Sequence, residues 1–445
     1  MKYKNQRNPI LPLDIHIPDG EAHVMPDGKL YIYGSYDNQE EIYCSEEYHV
    51  VSTNDLETWE IHDTALHGKD IYWFDNPKYP RYPGIDWSKP TPFIKKMLSS
   101  HEHASDKEKF EKAEDGDRAP LLFAPDAIYK DGIYYLYFCM PDDSEGVATS
   151  KSPVGPFINP VQLPCGGIDP AVFIDDDGSA YYYWGQLYSH GVKLNDDMIS
   201  FDGEIKENLV TEEEHYFHEG SSMRKIGNLY YLVYSNIERG KPTSLGYATS
   251  LSPLGPFTYQ GVIINNEYCD PASWNNHGSI EKFNGQWYIF YHRCSRGVQQ
   301  FRRLCIEPIA INEDGTIDEV KMTSQGVGAP FKIGEPLMGY QACELHGTAY
   351  IDVDSKYGEK LTNISAEDEI FFRYIQSEEG FQGIEMSASG SGVINLLFEN
   401  QKVGHIRVAS GSVIESNLSC TAGTYELKLK IEESDKLEIF ELKFS

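Results

Sequence analysis

A turn followed by a tyrosine-rich segment occurs five times in this sequence, and this repetition constrains the fold more than any other feature. DG and NG turns flanked by alternating apolar residues are strong β-hairpin signals. The last four copies begin at positions 131, 177, 227 and 284, at intervals of 46, 50 and 57 residues, which suit a unit of four short strands. Five such units arranged radially form an all-β, five-bladed β-propeller. The copies are DGKLYIYGSYD from Asp27, DGIYYLYF from Asp131, DGSAYYYWG from Asp177, GNLYYLVYS from Gly227 and NGQWYIFYHR from Asn284.

A second echo supports this reading. GVATSKSPVGPF (146–157) returns one hundred residues later as GYATSLSPLGPF (246–257). Each copy reads as a short strand followed by Ser-Pro and Gly-Pro turns. This pattern is typical of a structural element used in two blades, rather than of a ligand-binding loop.

The length of 445 residues suggests two domains. The propeller is predicted over 1–325, and residues 335–445 contain short alternating strands typical of a β-sandwich or jelly roll. Residues 66–120 interrupt the repeat and predict an insertion at the rim of the propeller, where Trp73 and Trp87 are candidate sugar contacts. The alternative is a surface excursion with no role.

Charge and cysteine content narrow the function classes. A formal net charge of −31 disfavours nucleic acid and acidic membranes as partners. No run of eighteen apolar residues exists, and the eight cysteines form no CxxC pair or compact framework. The first residues contain no signal-peptide core, so with scattered thiols we expect a cytoplasmic protein. The oligomeric state is not indicated.

Three carboxylates lie in apolar or Gly/Pro-rich surroundings, ahead of three different tyrosine-rich hairpins. They are Asp19 in HIPDGEAHV, Asp169 in GGIDPAVFI and Glu219 in FHEGSSM. One acid from each of several blades is how a propeller would assemble carboxylates around a central pocket. The alternative is that each acid caps a turn beside its Pro or Gly.

The chain resembles glycoside hydrolase family 43, five-bladed β-propeller enzymes that remove arabinose or xylose from plant polysaccharides. The resemblance spans roughly residues 8–320. Its motifs are NPIL…IPDGEAHV, FAPDAIYKDGIYYLYF, SKSPVGPF, IDPAVFIDDDG, HEGSSMRKIGNLYYLVYS and NHGSIEKFNGQWYIFYHR.

The resemblance implies a role for each of the three acids. Asp19 corresponds to the general base, Asp169 to the residue that tunes and orients the acid, and Glu219 to the general acid. Inversion requires a protonated carboxyl and an ionised one roughly 6.5–9.5 Å apart, with water between the base and the sugar. This chain has PDGE where the family often has PDPS, which leaves Asp14 and Glu21 as weaker candidates for the base.

The resemblance also supplies weaker candidates around the pocket. Arg293 matches an arginine that pairs with the tuning Asp and reaches substrate, although a strand-end salt bridge would explain it too. Asp126 matches a position at the pocket floor, although a turn-capping aspartate explains it nearly as well. Phe123 and Trp184 are candidate apolar walls or core residues. His277 resembles an axial histidine that in many relatives lies near a structural Ca²⁺. No organic cofactor is implied.

The C-terminal region resembles a family 6 carbohydrate-binding module through QACELHG, VASGS and LEIFELKF. Modules of that type commonly grip sugar between exposed aromatic side chains. All six Trp precede residue 288, so packing against the propeller is an equally good role for this region.

These observations predict an inverting exo-glycosidase that acts on terminal α-L-arabinofuranosyl or β-D-xylosyl residues of hemicellulose-derived oligosaccharides, with dual activity plausible for the family. One alternative is a non-catalytic glycan-binding propeller. The other is a glycoside phosphorylase, whose phosphate requires a basic cluster. The only adjacent basic pairs in the propeller's last hairpin are HR at 292–293 and RR at 302–303.

Overall fold

The computed structural model describes residues 1–82, 84, 118–409 and 412–445, with side chains omitted for 412–415. The described chain is almost entirely β-structure, as predicted. It contains one short α-helix, Glu212–His215, and 3₁₀ turns at Gly68–Asp70 and Gly339–Gln341. No helix in these ranges is both long and apolar enough to cross a membrane.

Within residues 1–309, the part that the structure describes forms five antiparallel sheets, the blades of a propeller. Blade 1 contains Glu21–Val24, Leu30–Tyr33, Glu47–Thr53 and Thr58–His67, with Lys2–Lys4 added at its outer edge. Blade 2 contains Asp126–Lys130, Ile133–Cys139, Ser144–Ser150 and Ile158–Gly166. Blade 3 contains Ala171–Ile174, Ala180–Trp184, His190–Leu194 and Phe201–Lys206. Blade 4 contains Phe217–Ile226, Leu229–Asn236, Ser244–Ser250 and Thr258–Asn265, and blade 5 contains Ser279–Phe283, Gln286–Ser295 and Val298–Ile309.

The first strand of each blade, here called an inner strand, lies at the axis. Each inner strand contacts the inner strands of the two neighbouring blades, so that the five close a ring. Between blades 5 and 1 the ring is joined by a backbone bridge from Gly278 to Gly20. Residues just ahead of the inner strands are therefore brought to a common central space.

The five tyrosine-rich segments form the second strand of the five blades, which confirms the predicted repeat. Their aromatic side chains are buried between sheets, as Tyr33, Tyr137, Tyr182 and Tyr234 show. Aromatic residues favour strands and bury large apolar areas, which suits sheets packed face to face. The twelve-residue echo forms the third strand and following turn of blades 2 and 4.

The N-terminal segment completes blade 5, whose own sheet has three strands. Ile10 donates a backbone hydrogen bond to Leu304 at 3.0 Å, and Asn8 exchanges side-chain hydrogen bonds with the backbone of Ile306. The Asn8 amide also donates to Glu307 and to the Thr323 carbonyl, and it is fully buried. The first residues thus tie the last blade to the beginning of the chain.

The start of the 66–120 insertion belongs to the core, so the prediction that Trp73 contacts sugar is wrong. Trp73 is 2% exposed, stacks on Phe138 and donates from Nε1 to Ser144 at 3.2 Å. An indole buried between strands has no face left for a ligand. Trp87 and most of the predicted rim insertion lie outside the described residues.

The C-terminal region is a single curled sheet of ten strands around its own hydrophobic core. Its two longest strands, of 18 and 22 residues, pair along most of their length. The strands are Phe331–Lys332, Pro336–Met338, Glu344–His346, Tyr350–Asp354, Gly358–Thr362, Glu369–Ser377, Phe381–Phe398, Gln401–Ala409, Ser412–Cys420 and Gly423–Phe444.

We expect Asn8→Ala to lower the free energy of unfolding by about 3 kcal/mol, because it leaves several buried backbone and side-chain groups without partners. Chemical denaturation of the full chain measures this change. Asn195→Ala, which removes hydrogen bonds at an exposed turn, is the matched control. Equal losses in the two variants would show that Asn8 does not secure the closure.

Candidate active site

Asp19 and Asp169 occupy equivalent positions in two blades. Each lies two residues before an inner strand, Glu21–Val24 or Ala171–Ile174, and each has a φ of 57°. Left-handed backbone is unfavourable for a residue with a side chain, and such residues cluster at functional sites. The shared geometry carries both carboxyl groups to the same end of the axis, where both are buried.

Asp19 is held by a dense set of polar partners. Arg302 donates to its Oδ1 at 2.9 Å, and the Ser35 hydroxyl donates to its Oδ2 at 2.7 Å. The backbone N–H of Asp19 faces Nδ1 of His292. Burial alone would raise the pKa of Asp19, but Arg302 and His292 together hold it well below its usual range. Asp19 is therefore ionised, as a general base must be.

Arg302 is itself fixed by a second carboxylate. Its guanidinium makes a bidentate contact with Asp37, with both N–O distances 2.9 Å. The Tyr43 ring covers it, with its centroid 4.9 Å from the guanidinium carbon. The sequence showed Arg302 only as half of the RR pair at 302–303, and it indicated a pocket role for none of Arg302, Asp37 and Tyr43, since nothing in the local sequence shows that Arg302 crosses to blade 1.

Glu219 comes from the inner strand of blade 4, at a point where the pairing with the next strand shifts register. Such bulges re-aim side chains. Its carboxylate is half-buried, and Gln186 donates to Oε2 at 2.6 Å. Nε2 of His218 lies 3.7 Å from the same oxygen. Gln186 was another residue missed from the sequence, because it lies in an irregular loop of blade 3.

Asp169 responds electrostatically to both other acids. Burial, reinforced by the charges of Glu219 and then Asp19, raises the pKa of Asp169 well above its usual range. Two carboxyl groups coupled in this way hold a single proton between them more readily than two negative charges.

His277 lies among the three acids. Its Nδ1 is 3.9 Å from an oxygen of Asp19 and 3.9 Å from an oxygen of Asp169. Its ring packs on Gly220, next to Glu219, where an added Cβ would come within 2.8 Å of the imidazole. Burial lowers the pKa of His277, so the ring is neutral. The three predicted acids and the predicted histidine are thus brought together.

The expected contact of Arg293 is wrong. Arg293 donates to Tyr291, Glu307 and the Thr323 carbonyl, not to Asp169. Arg293 pairs in register with Arg303, so both side chains leave the same face of blade 5, and this face is turned away from the pocket. The arginine at the acids is Arg302, which lies on the opposite face because side chains alternate along a strand.

The two aromatic residues predicted as pocket walls, Trp184 and Phe123, lie in different surroundings. Trp184 is 3% exposed and stacks on Tyr182 and Phe201, so it is a core residue of blade 3. Phe123 is half-buried, and its backbone N–H donates to Cys139, whose sulfur accepts from the backbone of Asp169. A wall role for Phe123 stays a prediction.

Asp126 lies in a second polar cluster inside the axial channel. It contacts Nε2 of His23 at 2.7 Å and accepts from the backbone N–H of Val172 at 2.7 Å. Arg224 extends from blade 4 into this cluster and donates to Glu21 at 2.7 Å. Glu21 is thus bound to Arg224, and Asp14 is exposed, which leaves Asp19 as the base candidate.

This cluster also bears on calcium. Glu21, His23 and Asp126 form the one group of three or more metal-type donors found in the described residues. Ca²⁺ prefers six to eight oxygen ligands. In this cluster one of the three donors is an imidazole, and the Glu21 carboxylate is already paired with the Arg224 guanidinium. Among the three acids around His277, Asp19 is likewise bonded to Arg302. The described residues therefore do not fit a directly coordinated Ca²⁺.

The axial cluster makes stability depend on pH. Burial raises the pKa of Asp126 to about 7, so the native state binds this proton between about pH 4 and 7 whereas the unfolded chain releases it. Stability should therefore fall as pH rises through this range. We expect Asp126→Asn to reduce the loss in melting temperature between pH 5 and 8, measured by calorimetry. A loss as large as in the wild type would contradict this assignment, and exposed Asp318→Asn is the control.

Comparison with known proteins shows which family and which relatives the chain resembles. Residues 95–317 match the glycosyl hydrolases family 43. A xylosidase/arabinosidase 43A of Humicola insolens is 32% identical over 369 residues, covering 68% of this chain and 96% of the relative. A xylosidase/arabinosidase of Bacteroides ovatus is 30% identical over 370 residues, covering 71% and 97%.

Comparison with solved structures gives matches in the same family. CoXyl43, a GH43 β-xylosidase/α-arabinofuranosidase from a compost metagenome, solved with xylotriose in a calcium-free form, is 30% identical, with a TM-score of 0.54, and the match covers 72% of this chain and 99% of that one. An arabinoxylan arabinofuranohydrolase of Bacillus subtilis, at 22% identity and a TM-score of 0.52, covers 98% and 97%, and shows a similar overall fold. The chain belongs to glycoside hydrolase family 43.

Proposed function

We propose that this glycoside hydrolase is an inverting exo-enzyme that removes terminal β-D-xylosyl or α-L-arabinofuranosyl residues from hemicellulose-derived oligosaccharides. The observation that carries the proposal is the convergence of Asp19, Asp169 and Glu219 from three blades around His277. Their electrostatic settings differ: Asp19 is ionised beside Arg302, whereas Asp169 interacts with Glu219, so that these two carboxyl groups retain one proton between them. One ionised and one protonated carboxyl are what glycoside inversion requires.

The reaction follows from these settings. Asp19 takes a proton from a water molecule as the water oxygen attacks the anomeric carbon. The bond from that carbon to the glycosidic oxygen breaks, and Glu219 gives its proton to the departing oxygen. Asp169 lies close enough to Glu219 for the two carboxyl groups to share one proton, which Glu219 holds at this step. Gln186 holds Glu219 by one oxygen, which orients the carboxyl group.

The proposed preference for xylosyl and arabinofuranosyl residues rests on the relatives and on the similar shape of the two sugars. Both H. insolens and B. ovatus relatives are named xylosidase/arabinosidase. The two sugars place their hydroxyl groups and anomeric carbon similarly enough for one small pocket. Tyr43, half-buried over Arg302, offers an aromatic face of the kind on which sugar rings pack.

The arrangement of cations disfavours a phosphorylase. Phosphate recognition uses arginines with free donors. Here Arg302 is bonded to Asp19 and Asp37, Arg303 to Glu359, and Arg293 to Glu307. Each of the basic pairs identified in the sequence is thus neutralised by carboxylates. A non-catalytic sugar-binding propeller would have no need for a buried, ionised carboxylate next to two carboxyl groups that share a proton.

Three further points concern the cellular location, a structural Ca²⁺ and the C-terminal domain. A cytoplasmic location is supported by eight cysteines that are all free, seven of them buried. A structural Ca²⁺ near His277 would have to bind through water, and no step of the reaction is assigned to it. For the C-terminal domain, packing against the propeller and sugar binding are the two roles considered, and xylan affinity gels distinguish them.

We expect Glu219→Gln to lower kcat on unactivated xylo- and arabino-oligosaccharides at least 10³-fold, because the leaving oxygen then receives no proton. The loss should be far smaller on an aryl glycoside whose phenol leaves readily, since such a phenol needs no acid. Exposed Glu213→Gln is the control. Equal losses on both substrates would remove Glu219 from the role of acid.

A further inference from the structure

Arg302 and Arg303 are adjacent in the chain but serve opposite faces of one strand, Val298–Ile309. Arg302 faces the pocket, where it bonds Asp19 and Asp37. Arg303 faces the C-terminal domain, where it bonds Glu359 of the strand Gly358–Thr362. Both arginines are 3% exposed. The strand that supplies the pocket cation is therefore fixed from behind by the other domain.

The pair between Arg303 and Glu359 is buried on both sides. Glu359 is 1% exposed, and within the described residues its second oxygen and the Nε of Arg303 have no hydrogen-bond partner. Arg303 is the hydrogen-bonded partner of Glu359, whereas the Arg296 guanidinium adds a favourable charge without a hydrogen bond and Asp352 adds an unfavourable one. A buried pair of this kind resists separation, since breaking it leaves an uncompensated charge in a low-dielectric interior.

The hairpin turn before Arg302 is also anchored in the second domain. The backbone N–H of Arg296 donates to the Ile351 carbonyl at 2.6 Å, and Gly297 packs on the Tyr350 ring. The Arg296 guanidinium then lies 4.0 Å from the centre of the Phe301 ring, one residue before Arg302. The C-terminal domain therefore holds this hairpin both at its turn and at Arg303.

We propose that the C-terminal domain is a positioning element of the active site, and that Glu359 acts through Arg303 to fix Arg302 on the catalytic base. The proposal rests on the function assigned above to Asp19. It gives the domain a role that needs no sugar binding. Because catalytic groups must be held within a fraction of an ångström, a small shift of this strand weakens the contact between Arg302 and Asp19.

The test is Glu359→Gln in the full-length chain, with kcat and KM measured across pH on an aryl xyloside. We expect kcat to fall about tenfold with KM within twofold of wild type. We also expect the acidic limb of the pH profile to move to higher pH, because a loosened Arg302 stabilises ionised Asp19 less. The matched control is Glu433→Gln, an exposed residue of the same domain that pairs with Arg407.

The direction in which the acidic limb moves distinguishes a positioning role of Glu359 from a direct effect of its charge on Asp19. Removing the negative charge of Glu359 without moving Arg302 would make Asp19 easier to ionise and would move the acidic limb to lower pH. That result, or an unchanged kcat in folded protein, overturns the proposal. If Glu359→Gln does not fold, the double variant Arg303→Met/Glu359→Leu, which removes both charges, gives the same readout. Wild-type activity on the same xyloside reports separately on the proposed function.

Discussion

Closure of the ring of inner strands is the constraint on which the rest of this structure depends. Asp19, Asp169 and Glu219 are separated by 150 and 50 residues, and no local element could bring them together. They meet because each lies at or just before the first strand of a blade, and the five first strands enclose one axis. The N-terminal segment secures this closure by joining blade 5 through Asn8 and Ile10.

The same closure forces charged groups into a space with little water. At one end of the axis, Arg302 compensates Asp19 and Asp37. Deeper in the channel, Arg224 is shared between Glu21 and Glu281, and Asp126 contacts His23. The axis therefore contains two groups of buried charges, each with an arginine. Only the first includes the acids to which we assign the reaction.

Repetition made the fold predictable from sequence. Five turn-plus-tyrosine segments mark the second strands. The acids were found because they lie ahead of these segments, in apolar or Gly/Pro-rich surroundings where surface carboxylates are uncommon. The predictions that were wrong concern the face of a strand from which a side chain extends. Arg293 and Arg302 are both near the end of the same hairpin, but a register that pairs Arg293 with Arg303 turns Arg293 away from the pocket. Trp73 was predicted near sugar, and Trp184 either near sugar or in the core. Both rings fill gaps between strands, an outcome set by packing that the local sequence does not encode.

The central claim is that Asp19 activates water on one face of the sugar while Glu219 protonates the leaving group on the other. Proton NMR during the first turnovers of a β-D-xyloside tests this most directly, because it identifies the anomer released before mutarotation. The arrangement predicts α-xylose as the first product. Initial release of β-xylose would mean that one of the acids attacks the sugar itself, and would contradict the mechanism.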